Sequence, residues 1–231
     1  QAKIWQVLGL AWREEQAMEK AIEAFAKAAA LAPQAPRTAL GKAQIAFETG
    51  HPAAALFQQI RAISPQDGEL ALSTAAALIQ EGQATAGEAL IEALVAENPG
   101  WVRGHGWLAT TRWMMGDRED FARSFAAAVA AFPADKALRM GWYRAVAQPE
   151  QWELAERIIA NARIQLGDHV EFDAAEARIA TELSDDARAE RLFTRLSALH
   201  DSSIAIAHIR HSLRTGRIER AETLAQPWLA T

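Results

Sequence analysis

A chain of 231 residues that is 50% hydrophobic and 23% charged has ample apolar surface for a packed core, which sets it apart from disordered segments. Its net charge of -5 lacks the basic footprint by which proteins hold phosphate backbones, so no nucleic-acid partner is expected. The absence of cysteine excludes disulfides, cysteine-ligated metal centres and thiol catalysis. No stretch is apolar over the length needed to span a bilayer, so no membrane insertion is expected. A cytoplasmic location is expected, with the periplasm left open. The row opens on Gln1 without a basic-then-apolar leader before Ile4, which points to a trimmed upstream end.

Along the chain, Pro33, Pro65, Pro99 and Pro133 each close an Ala-rich amphipathic stretch, and the steps between them are 32, 34 and 34 residues. Gly167 and Asp201, residue types that end helices, continue the period. The first unit carries Trp5, Leu8, Gly9, Trp12, Ala21, Phe25, Ala28 and Pro33; the second carries Leu40, Gly41, Ala53, Phe57 and Pro65. Ala75, Leu78, Gly82, Ile91, Leu94 and Pro99 occupy the matching places of the third, with Gly87 where Ala is usual. The fourth offers Leu108, Ala109, Gly116, Phe125, Ala128 and Pro133. In the fifth, Ala155, Ile159 and Ala162 keep the pattern, but Trp142 and Tyr143 stand where a Leu and a small residue are expected. Ala177, Ala180, Ala189, Phe193 and Leu196 mark the sixth, and a seventh starts near Ser202 with Gly216 and Ala221. Thr49-Gly50-His51-Pro52 predicts a helix stop followed by Pro in the next first turn, and Gly116-Asp117 predicts a stop followed by a capping side chain.

The first unit reproduces, in order and spacing, the pattern W-x2-L-G-x2-Y, A-x3-F and a closing P, with Trp12 in place of Tyr. In this it resembles the tetratricopeptide repeat family. The resemblance implies an all-α fold, a right-handed superhelical solenoid of about seven helix-turn-helix repeats forming one domain over residues 1–231. The repeats would span approximately 2–33, 34–67, 68–101, 102–135, 136–169, 170–201 and 202–231. It also implies that the first helices line a concave groove where peptides are gripped. The ninth place of those helices reads Leu10, Gln44, Ala76, Thr110, Arg144, Arg178 and Arg210. The three arginines could present planar forks to carboxylates of an acidic peptide or of a chain terminus. The competing reading leaves them solvated or paired with nearby acids such as Glu171, Glu176 and Glu182. Lys3, Arg37 and Arg103 add positive charge at another groove position, interrupted by Glu69 and Glu171.

The fourth unit is rich in Gly and Trp. Gly104, Gly106, Trp101, His105, Trp107, Trp113 and Met114 could form an aromatic floor for a peptide, or they could be core, the usual place of Trp in a helical stack. The expected ligand-binding set is therefore Arg144, Arg178, Arg210, Arg103, Trp107, Thr110 and Trp113. No catalytic, metal or cofactor residue is expected. His200, Asp201, His208 and His211 make the best metal constellation, yet exposed histidines are the preferred reading. Ser197, His200 and Asp201 lack the converging pocket of a triad, and Gly100, Gly104 and Gly106 do not sit between a strand and a helix as a phosphate loop would. The expected function is a non-catalytic scaffold for a protein or peptide. A looser resemblance over Ser212 to Thr231, to late repeats of bacterial proteins that join such arrays to an iron- and 2-oxoglutarate-dependent oxygenase, implies an alternative in which this segment is the arm of a larger enzyme with its catalytic domain downstream of Thr231. Leu224, Trp228 and Leu229 give the last helix an apolar face, so a partner or further chain is expected there.

Overall fold

Each period of the sequence contains two short amphipathic stretches, and each stretch folds as a helix that hides its apolar face on its neighbours. The computed structural model describes residues 1–32 and 35–229. Pro33 and Thr231 lie outside the described residues. The described residues form fourteen α-helices and one short 3-10 turn, Ser197–Leu199, with no strand among them. Successive helices pair as hairpins in chain order: α1 (Ala2–Glu14) with α2 (Met18–Leu31), α3 (Pro36–Glu48) with α4 (Ala54–Arg61), and α5 (Gly68–Gln80) with α6 (Ala84–Glu97). Then come α7 (Val102–Met115) and α8 (Arg123–Ala131), and the pairing resumes with α9 (Lys136–Ala147) and α10 (Trp152–Leu166), α11 (Val170–Glu182) and α12 (Asp186–Leu196), and α13 (Ser202–Arg214) and α14 (Ile218–Leu229). Contacts gather in two compact units, Gln1–Thr111 and Arg112–Thr231.

One packing device recurs in both. In the first unit, Phe25 of α2 is 1% exposed and its ring enters between Gly9 of α1 and Gly41 of α3. A Cβ on Gly9 would stand 2.6 Å from the ring, and one on Gly41 would overlap it outright. Phe57 and Ile91 repeat the role in α4 and α6, as does Phe193 in the second unit, and Phe125 and Ile159 stand at the same place and are buried. Four residues before these large side chains stand Ala21, Ala53, Ala155 and Ala189, also buried, because a small residue there lets the paired helix approach. The third hairpin goes further: a Cβ on Gly87 of α6 would sit 2.8 Å from the carbonyl oxygen of Ala75 in α5, closer than real side chains come. Gly87 is thus required by backbone approach. The fourth repeat of the sequence departs in the other direction. Phe121 stands at the small position, packs edge-on against Trp113 at 4.8 Å, and α8 does not begin until Arg123.

Side chains close the helix ends in a regular way. Asp67 caps α5, Asp135 caps α9, Asp185 caps α12 and Asp201 caps α13, each accepting from a backbone N–H of the first turn. Asp201 therefore opens a helix where the sequence suggested an end, its short carboxylate being free to turn back onto Ser203 and Ile204. Two other turn signals are displaced. Pro52 lies ahead of α4, which starts at Ala54, and Asp117 accepts from Asp120 N at 2.9 Å in a turn well before α8. In place of Pro52, the orphan donors of α4 are met from the next hairpin: Glu81 Oε1 accepts from Ala53 N at 2.7 Å and Ala54 N at 2.8 Å.

Three stability outcomes follow from this packing and capping. Phe25→Ala should cost about 3–5 kcal/mol, and Gly41→Val about 1–3 kcal/mol or more through overpacking, both read by urea denaturation. Glu81→Ala should cost about 1–2 kcal/mol, since it uncaps α4; an unchanged denaturation midpoint would show that solvent meets those donors as well.

Candidate functional site

In the second unit, α9, α11 and α13 are the first helices of successive hairpins, and their facing sides enclose a cleft of about 730 Å³. Arg144 of α9, Arg178 of α11 and Arg210 of α13 all line it. The repeat register placed these three at one position, and the fold brings them to one cleft. All three are exposed. Among the described residues none of them has a carboxylate within ion-pair distance; Arg178 lies instead over the Trp152 ring, 5.3 Å from its centroid.

The acids that could have neutralised them are engaged elsewhere. Glu171 takes Lys136 Nζ at 2.6 Å, and Glu176 takes Arg163 at 3.3 Å and Arg188 at 3.8 Å. Glu182 takes Arg214 at 3.2 Å. Of the competing reading, pairing of the three arginines with these same glutamates is not seen, while their exposure to solvent is. Four arginines and two glutamates line the cleft, so its balance is basic in a chain of net charge -5.

Apart from Thr181, Ser203 and His211, the rest of the lining is largely apolar, and sequence reasoning did not assemble it. Met140 and Tyr143 of α9 are buried, and Ala174 of α11 with Ile204 and Ala207 of α13 packs half-buried on the cluster that contains Phe193 and Leu196. Tyr143 was legible only as a departure from a small residue. Burial pushes its phenol above the ordinary value, opposed by the positive charge of Arg178.

Other predicted residues lie elsewhere. Arg103 is exposed and pairs with Glu69 across neighbouring first helices of the first unit. Trp107 is half-buried against the cluster of Ile91 and Leu108 in that unit. Thr110 is half-buried on α7. Trp113 belongs to the second unit, where it packs on Phe121 and lies under the Arg118 guanidinium at 4.0 Å. Trp101 also packs on the Ile91 cluster and fills the space over Gly68 and Gly104, while His105 is 2% exposed and donates from Nε2 to Pro99 O at 2.9 Å. Much of the aromatic set is thus packing, and Met114 is its most exposed member.

The histidines of α13 correct another expectation. They are not exposed: His208 and His211 are 1% and 0% exposed and flank Phe193, His208 stacked at 5.0 Å and His211 tilted at 5.7 Å. His208 Nε2 lies 3.2 Å from Glu190, and His211 Nδ1 lies 3.2 Å from Thr181 Oγ1. No metal-holding group of His, Asp and Glu occurs among the described residues, and no described helix is long and apolar enough to cross a membrane.

Burial holds the pKa of both imidazoles, and of His105, below the ordinary value, with Glu190 opposing at His208. Between the depressed folded-state pKa and about 6.5, the unfolded chain therefore binds protons that the folded one refuses. Stability is expected to be full above that range and to fall as pH drops through it. Thermal unfolding at pH 8 and pH 5.5 checks the sign, and His208→Gln should flatten the dependence.

No protein-family model matches the chain, and no curated protein matches it. Solved structures do. The chain resembles PilF of Pseudomonas aeruginosa at 13% identity and a TM-score of 0.51, over 86% of this chain and 91% of that one. A tetratricopeptide repeat protein from Parabacteroides merdae matches at 15% identity and a TM-score of 0.51, over 97% and 84%. Human IFIT1, solved as a dimer with m7Gppp-AAAA, matches at 17% and 0.52 over 92% of this chain and 55% of its own. These likenesses show the tetratricopeptide-repeat fold. They lend no support to the second resemblance, to the arm of an oxygenase.

Proposed function

We propose that the chain is a non-catalytic scaffold whose second unit binds a protein or peptide in the cleft of α9, α11 and α13, holding the ligand's carboxylates with Arg144, Arg178 and Arg210. One observation carries this reading: three equivalent guanidiniums share a cleft without an ion-pair partner, while Glu171, Glu176 and Glu182 are each committed to other cations. An arginine fork matches a carboxylate by two parallel hydrogen bonds, and a partly enclosed cleft strengthens them over those in open solvent. The apolar wall beside the arginines supplies contact area that a purely electrostatic surface lacks.

Arg103, Trp107 and Thr110 of the first unit and Trp113 of the second are proposed as ligand contacts of their own, apart from the cleft. Arg103 keeps about two-thirds of its side chain in solvent although Glu69 holds it, and a ligand carboxylate would have to compete with that glutamate. Trp107, Thr110 and Trp113 offer only their half-exposed edges.

Fluorescence anisotropy of a labelled acidic peptide, against the same sequence with Gln for Glu, tests the proposal. The acidic peptide should bind at least about tenfold more tightly, with the preference shrinking as salt is raised. Arg144→Glu with Arg178→Glu should abolish the preference at unchanged helicity. Equal binding of both peptides, or an unaffected double variant, would overturn it.

A further inference from the structure

Resting on that reading of the cleft, we infer that the ligand is an extended segment whose side-chain carboxylates recur about three residues apart with an apolar side chain between them, and not a lone chain terminus. The spacing comes from the placement of the arginines. They sit on the first helices of three successive hairpins, and packed helices lie about 8–10 Å apart. A ligand in the extended polyproline II conformation rises about 3.1 Å per residue and returns to the same face every third residue, so carboxylates reaching arginines on adjacent first helices stand about three residues apart. A single terminal carboxylate fills one fork. It leaves the other two guanidiniums without a carboxylate.

The apolar requirement comes from the rest of the cleft. Ala174, Ile204 and Ala207 present half-buried apolar surface over the Phe193 and Leu196 cluster, and the cleft's 730 Å³ exceeds what a backbone alone would fill. Two of those three residues are alanines, so the space between the arginines is wide enough for a side chain of the partner. A ligand of carboxylates alone would leave this surface wet. One carrying Leu or Phe there removes it from water, which is the larger and less salt-sensitive contribution.

Short peptides, amidated at the C-terminus and titrated by anisotropy against the 231-residue chain, separate these features. One carries Glu at every third position with Leu between, one has Ser for each Leu, one has adjacent rather than spaced Glu, and a fourth, left unamidated, is neutral with a free C-terminus. The spaced Leu peptide should bind about tenfold more tightly than the Ser peptide and than the adjacent-Glu peptide, and the neutral peptide should not compete with it. Ala207→Trp should weaken the Leu peptide alone, with Ala174→Met as a second, smaller filling should the Trp variant lose helicity. Equal affinity of the Leu and Ser peptides, or competition by the neutral free terminus, overturns this inference and leaves the cleft reading intact. Failure of every acidic peptide to bind overturns both.

Discussion

A large side chain from a second helix, received where first helices carry little or no side chain, is the recurring contact on which the rest of the structure depends. Phe25 shows it in the tightest form, since neither Gly9 nor Gly41 has room for a single added carbon. The ring thereby fastens its own hairpin and the next in one contact. Because no hairpin can bury its apolar stripe alone, each is stable only against a neighbour. That constraint fixes which faces remain available, and available faces are where recognition can occur.

Electrostatics then decides what kind of recognition. Several ion pairs join equivalent places of adjacent hairpins, as with Arg13 and Glu48, Lys136 and Glu171, or Arg214 and Glu182. Exposed pairs of this sort add little stability. Their effect in the second unit is selective. By engaging Glu171, Glu176 and Glu182 they leave one row of arginines without internal acids, so a locally basic cleft persists in an acidic protein. Glu176 belongs to a denser set in which Arg163 reaches Asp168, Asp173 and Glu176 and Arg195 also reaches Asp173. This set binds α10, α11 and α12 together behind the cleft.

The repeat was legible because sterics imposes it at a fixed period: Phe25, Phe57, Phe125 and Phe193 announce themselves by size, and the small residues they meet by lack of it. The register that aligned Arg144, Arg178 and Arg210 was legible for the same reason. Which acid would claim which base was not, because Lys136 and Glu171 meet only after α9 and α11 are laid side by side. His208 and His211 were misread for a related cause. A polar residue in a helix rich in Arg and Ser looks solvent-facing, and only the position of Phe193 reveals that both imidazoles are buried against it. Phe121 shows the converse, a bulky residue at a small position, tolerated because Trp113 takes its edge and the following helix starts late.

Glu81 belongs to the third hairpin yet caps a helix of the second. Hairpins joined in this way are not interchangeable beads. Excising the third would expose the apolar side of its predecessor and also strip two backbone donors of their acceptor. Melting at this junction should therefore spread backward along the chain, and shortening or grafting the array is least disruptive where no such borrowed carboxylate crosses the cut.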